Sequence, residues 1–130
     1  MNAAVRQMAN AYEKARGCAP QPWMVATLLA GVIRHLDQAE QDFRQGRHSE
    51  CVNRVRKALA ILQGLRDNLR PEVSERICER LNLFYKTNIL RISTLMRSGF
   101  NSRDCERIKA DIQKMHDAWA SVGTEGTEKA

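Results

Sequence analysis

Residues 22–45, PWMVATLLAGVIRHLDQAEQDFRQ, constrain the fold more than any other stretch of the chain. Val25, Leu29, Val32, Leu36, Ala39 and Phe43 follow one another at intervals of 4, 3, 4, 3 and 4, a continuous apolar stripe along one helix. Pro22 suits a first helical turn, where its missing N–H has no partner to lose. At 1.5 Å per residue the helix spans about 36 Å, and a stripe that long needs partner helices of similar length to cover it. The chain therefore predicts a helix bundle.

The other segments supply the partners. Gly46 is placed to end the first helix in a left-handed conformation, with Arg47 and His48 in the turn and Ser49 as the next cap. A turn that short makes the second helix antiparallel to the first. That helix, predicted over 50–69, carries Val55, Ala58, Leu62, Leu65 and Leu69, with Gly64 as an unusual interior residue. Gly64 fits either a closely approaching helix or a solvent-facing position. Pro71 breaks the pattern, because the residue before a proline resists helical geometry. Ser74 caps a third helix, to about 98, whose main face holds Ile77, Leu81, Phe84 or Tyr85, Asn88, Ile92 and Leu95. Leu83, Leu90 and Met96 widen its apolar surface, so this helix either lies centrally or exposes a groove. After Gly99, a cap at Asn101 or Ser102 opens a fourth helix with Cys105, Ile108, Ile112, Met115 and Trp119 in register, ending at Gly123. The expected fold is all-α: an N-terminal helical arm over 1–19, an antiparallel four-helix bundle over 20–121, and a disordered tail over 122–130. Gly17 and Pro20-Gln21-Pro22 separate the arm from the bundle, and Tyr12 is its one large anchor.

Composition narrows the function. With 130 residues, 43% hydrophobic and 28% charged, the chain suits one globular domain. No apolar run is long enough to span a membrane, and Arg6, Glu13, Lys14 and Arg16 interrupt any signal-peptide core, so the protein is expected in the cytoplasm without membrane insertion. The net charge of +6 is concentrated in 44–107, with fourteen basic and seven acidic residues. A nucleic-acid surface is one reading of that excess, but no RNA-binding fingerprint or helix-turn-helix spacing accompanies it and few aromatics could stack on bases. Solvated arginines covering apolar flanks fit better. Cys18, Cys51, Cys78 and Cys105 lack C-x-x-C spacing and read as small buried hydrophobes. His35, His48 and His116 form no Glu-x-x-His or His-x-x-x-His pair, and Asp37, Glu40 and Asp42 read as a solvated face. With no phosphate loop and no nucleophile elbow, the expected function is binding rather than catalysis, with no catalytic residues, metal or cofactor.

The order of these segments resembles the flagellin export chaperones, the FliS family. Family members have a Tyr in an N-terminal arm, a Ser-Pro turn, and a helix of the form L-V-x-M-L-Y-D-G-A-I-x-x-L-x-x-A. Met24-Val25, Leu28, Gly31, Ile33, Leu36 and Ala39 match that helix in register. Val55, Lys57-Ala58, Ile61-Leu62, Leu65 and Leu69 match the second, Phe84-Tyr85 the L-Y of the third, and Asp117-Ala118-Trp119 the closing R-D-A-W. The similarity covers about residues 11–120. Leu29-Ala30, Arg70-Pro71 and Val73-Ser74 depart from the family pattern. The resemblance implies a cytosolic chaperone that binds the unfolded C-terminal segment of flagellin, blocks premature polymerisation and helps deliver it to the flagellar export gate. It also implies an arm that covers part of the client site. Candidate partner contacts are Tyr12 in the arm and Met24, Leu28, Leu83, Tyr85 and Leu90 along the helices. The alternatives are a chaperone for another export-apparatus protein, or a basic helical RNA-binding regulator.

Overall fold

The computed structural model describes Ala3 and residues 18–129, with side chains through Val122. The predicted arm and its Tyr12 thus lie outside the described residues. Among residues 18–129 four helices follow one another: α1 (Pro22–Arg44), α2 (His48–Asp67), α3 (Glu75–Arg97) and α4 (Ser102–Lys129). No strand occurs among the described residues. The helices form a bundle in which α1 packs on α2 and α4, α2 on α3, and α3 on α4. The α1 interfaces are the most extensive and the α3–α4 seam is the slightest. Among the described helices, the stretch with the clearest stripe is therefore the centre of the packing, and α3 has the slightest contact with the other three.

Local chemistry sets the helix ends. Gly46 and Gly99 take φ of 75° and 95°, a left-handed backbone that residues with a Cβ rarely adopt, and so reverse the chain after α1 and α3. Ser74 caps α3 by accepting from the Ile77 N–H at 3.4 Å. Asn101 Oδ1 accepts the Asp104 N–H at 2.8 Å, and its amide donates to Asp104 Oδ2 at 2.8 Å. Helix α2 begins earlier than the predicted Ser49 cap. Arg47 folds back on Asp42, its Nη2 and Nε reaching Oδ1 at 2.6 and 2.9 Å, and its carbonyl accepts the Cys51 N–H at 3.0 Å. That anchored residue, not Ser49, starts the helical hydrogen bonds. Helix α4 runs through Gly123, its predicted end, and keeps helical backbone to Lys129. One glycine weakens a helix by about 1 kcal/mol but does not block it as proline does. Against the expected tail over 122–130, Val122 is itself buried.

The core follows the stripes. Leu29, Val32 and Leu36 of α1 and Val55, Ala58 and Leu62 of α2 are fully buried, as are Ile112 and Trp119 of α4. On α3 the buried residue at the ambiguous position is Tyr85; Phe84 is only partly buried, its ring centroid 5.7 Å from that of Tyr85. Cys78, rather than Ile77, takes the core position in the first turn. All four cysteines are buried free thiols. Burial pushes Cys78 up to about 11, with Cys18 beside it adding to the effect. The Cys18 carbonyl accepts the Arg70 N–H at 2.8 Å, so the departure Arg70-Pro71 lies where residue 18 meets the α2–α3 connection.

Gly31 is where α1 and α2 approach, a methyl there falling 3.4 Å from Ile61 Cδ1. Gly64 is different: nothing lies within 4 Å of a Cβ placed on it. It is the open position, not a close approach. Gly64→Ala should therefore stabilise the protein by about 0.4–1 kcal/mol, by restricting the unfolded chain without a clash. Urea denaturation checks this; a destabilised variant would mean that the site is not open.

Candidate binding surface

Helix α3 presents an apolar surface outside the core. Leu83 and Leu90 are 64% and 53% exposed. Seven residues apart, they lie on one helix face about 10 Å from each other. The opposite face, with Leu81, Tyr85, Asn88 and Ile92, is buried. Asn88 sits in that core-facing stripe without a polar debt: its Nδ2 donates to the Phe84 carbonyl at 2.9 Å and its Oδ1 accepts from Arg91 at 3.2 Å. Arg91 also reaches Asp111 Oδ2 of α4 at 2.6 Å, an ion pair across the slight α3–α4 seam.

A second apolar patch lies at the start of α1, where Trp23 is 61% and Met24 37% exposed. The Thr27 hydroxyl donates to the Trp23 carbonyl at 2.8 Å in this first turn. Trp23 was not among the residues singled out from the sequence, although its position beside Met24, outside the α1 stripe, was a visible signal. Leu28 is half-buried and packs on the core. Tyr85 is a correction to the sequence expectation: it is fully buried and cannot touch a partner in this state, and burial raises its hydroxyl pKa. Thus Leu83 and Leu90 share a face, Met24 joins Trp23 at another place, and Tyr85 belongs to the core.

The acidic residues of α1 are a further correction. Glu40 and Asp42 are buried, not solvated. Lys109 of α4 lies 2.6 Å from Glu40 Oε1, 2.5 Å from Asp37 and 2.7 Å from Glu106, and Arg44 lies 3.1 Å from Glu40. The Cys105 thiol is beside this cluster; burial and then Glu40 raise its pKa. The arrangement neutralises charge and holds α1 to α4.

A shallow cleft of about 320 Å³ opens between the end of α2 and the start of α3, lined by Arg66, Leu69, Pro71, Glu75, Cys78 and Asn82. Arg66 Nε bonds to Asn82 Oδ1 across this seam at 2.7 Å. On α4, His116 and Gln113 hydrogen-bond to Asp117 and hold its carboxyl below the usual range. Among the described residues no group of three His, Cys, Asp or Glu side chains could hold a metal ion, and no helix is long and apolar enough to cross a membrane.

No curated protein and no solved structure matches the chain. The family model described as flagellar protein FliS matches residues 3–126, which includes all four helices up to the last turn of α4. With nearly its whole length matched and a four-helix bundle beneath the match, the chain belongs to the FliS family of flagellar export chaperones.

Proposed function

We propose that the protein is a cytoplasmic chaperone that holds the disordered C-terminal segment of flagellin and keeps it from polymerising before export. The observation that carries this reading is the outward pair Leu83 and Leu90 on α3, the helix with the slightest contact among the four described. An amphipathic client helix reads such a face through apolar anchors at helical spacing, folding as it binds. Trp23 and Met24 offer a second set of apolar contacts. Delivery to the export gate would follow from the same grip on an unfolded segment.

The test is titration of a purified flagellin C-terminal segment into the wild type and a Leu83→Glu/Leu90→Glu variant. Each leucine buried by a client contributes about 1.5–3 kcal/mol, so the double variant should bind at least about tenfold more weakly. Its melting temperature should stay close to wild type, because both side chains already face solvent. Affinity should change little between about 50 and 300 mM salt, since apolar contacts are not screened. Binding unaffected by the double substitution would overturn the placement of the client on α3. A steeply salt-dependent complex with RNA and none with flagellin would favour the regulator reading.

A further inference from the structure

The basic excess has a definite location. Neither residues 22–36 of α1 nor residues 51–66 of α2 contain an Asp or Glu. The two helices run antiparallel, with Gly31 beside Ile61 at one level and Asp42 acting on Cys51 at another. Between those levels His35 is faced by Arg34 of its own helix and by Arg54 and Lys57 of α2. None of these three cations pairs with a carboxylate among the described residues. Two polar atoms on the same side of α1, His35 Nδ1 and Gln38 Oε1, are buried with no hydrogen-bond partner in the structure. Burial, and then Arg34, Arg54 and Lys57, lower the His35 pKa, so its ring does not add a fourth charge.

We propose that the α1–α2 seam around Arg34, His35, Arg54 and Lys57 docks a short acidic segment of a protein partner, on a surface separate from the apolar face of α3. Three cations converging without a counter-charge among the described residues repel one another, and an anionic segment relieves that repulsion. Arginine forks match carboxylates in paired hydrogen bonds. The carboxylate-free part of α2 spans about 24 Å, the reach of roughly seven extended residues. Nucleic acid fits less well. Single strands need exposed rings to stack on, and the one exposed aromatic among the described residues, Trp23, lies about 16 Å along α1 from Arg34. Phe43, Phe84, Tyr85, Phe100 and Trp119 are buried or partly buried. The proposal stands on charge and hydrogen-bonding groups of α1 and α2, and does not depend on the flagellin reading.

The experiment measures fluorescence polarisation of three labelled probes with the full chain at about 0.1 M salt: a ten-residue glutamate peptide, a ten-residue glutamine peptide, and a ten-nucleotide deoxythymidine strand. A seam variant, Arg34→Glu/Arg54→Glu/Lys57→Glu, is compared with a control of equal net charge, Arg76→Glu/Arg97→Glu/Arg103→Glu, whose three positions are exposed. Expected is binding of the glutamate peptide only, weakened at least tenfold in the seam variant and less than threefold in the control. Flagellin-segment affinity should stay within about twofold of wild type in the seam variant, which separates this surface from α3. Should the triple variant fail to fold by circular dichroism, the exposed positions Arg34→Gln and Lys57→Gln, taken singly, must each weaken peptide binding at least twofold. Equal losses in the two triple variants, no binding of the glutamate peptide, or tighter binding of the oligonucleotide through the seam would each overturn the proposal.

Discussion

Leu36→Ala and Leu62→Ala should each lower the free energy of unfolding by about 2–5 kcal/mol. Both side chains are fully buried, one on each of the two helices that pack most extensively. Leu36 also marks the α1–α4 interface, where its carbonyl lies 3.9 Å from Cys105 Sγ. Truncation removes the buried methyl groups and leaves a cavity that rigid neighbouring helices close only in part. Against a total stability of about 5–15 kcal/mol for a domain, either loss is large. Leu83→Ala is the internal comparison, since the same substitution at a 64% exposed position should change stability by less than about 0.5 kcal/mol. Urea denaturation of the three variants decides the matter. Losses below 1 kcal/mol at both buried sites would mean that the helix faces are assigned wrongly.

Lys109→Met should be as damaging, by a different mechanism. The Lys109 side chain is only 12% exposed and the Glu40 side chain 4%. The methionine keeps the apolar stem but removes the ammonium, leaving Asp37, Glu40 and Glu106 converging with Arg44 as the remaining cation of the cluster. Breaking a buried pair from one side costs about 3–5 kcal/mol, because the surviving charge stays desolvated. Asp37→Asn, at a half-exposed position, should cost no more than about 1 kcal/mol.

The pH profile carries the sign of this network. Burial opposes the Lys109 charge, but hydrogen bonds to Asp37, Glu106 and Glu40 outweigh it and raise its pKa. The stability it contributes is full below about pH 10.4, the ordinary lysine value, and is lost as pH rises through the higher folded value. Glu106 is shifted the other way, held low chiefly by the hydrogen bond it accepts from Lys109. Its contribution is full above about pH 4.3 and is lost as pH falls through its lower folded value. The Lys109 and Glu106 contributions should therefore both be full between these limits, and Lys109→Met should abolish the Lys109 share of the alkaline loss. A variant with unchanged stability and an unchanged alkaline limb would show that Lys109 is not the centre of the cluster.

Much of this protein was legible along the chain because a helix stripe is a local property. The spacing of Val25 to Phe43 identified the face of α1, and equivalent spacings identified those of α2 and α4. Gly46, Ser74, Gly99 and Asn101 marked ends through chemistry that needs only a few neighbouring residues. Periodicity also separated outward Leu83 and Leu90 from inward Leu81, Ile92 and Leu95. It could not decide between Phe84 and Tyr85, because adjacent residues differ by only about 100° around the helix and both were apolar enough for the core. Nor could it rank the helices: among the four described, α3 has the slightest contacts, and that is a sum over its neighbours. Glu40 and Asp42 looked solvated because charge on a helix flank usually is. Lys109 of α4 and Arg47 of the turn bring compensating charge to them and make their burial possible. The sequence by itself determined the helices, their apolar faces and their family; only the tertiary structure decided which flanks are dry, because desolvation and counter-charge depend on residues far away along the chain.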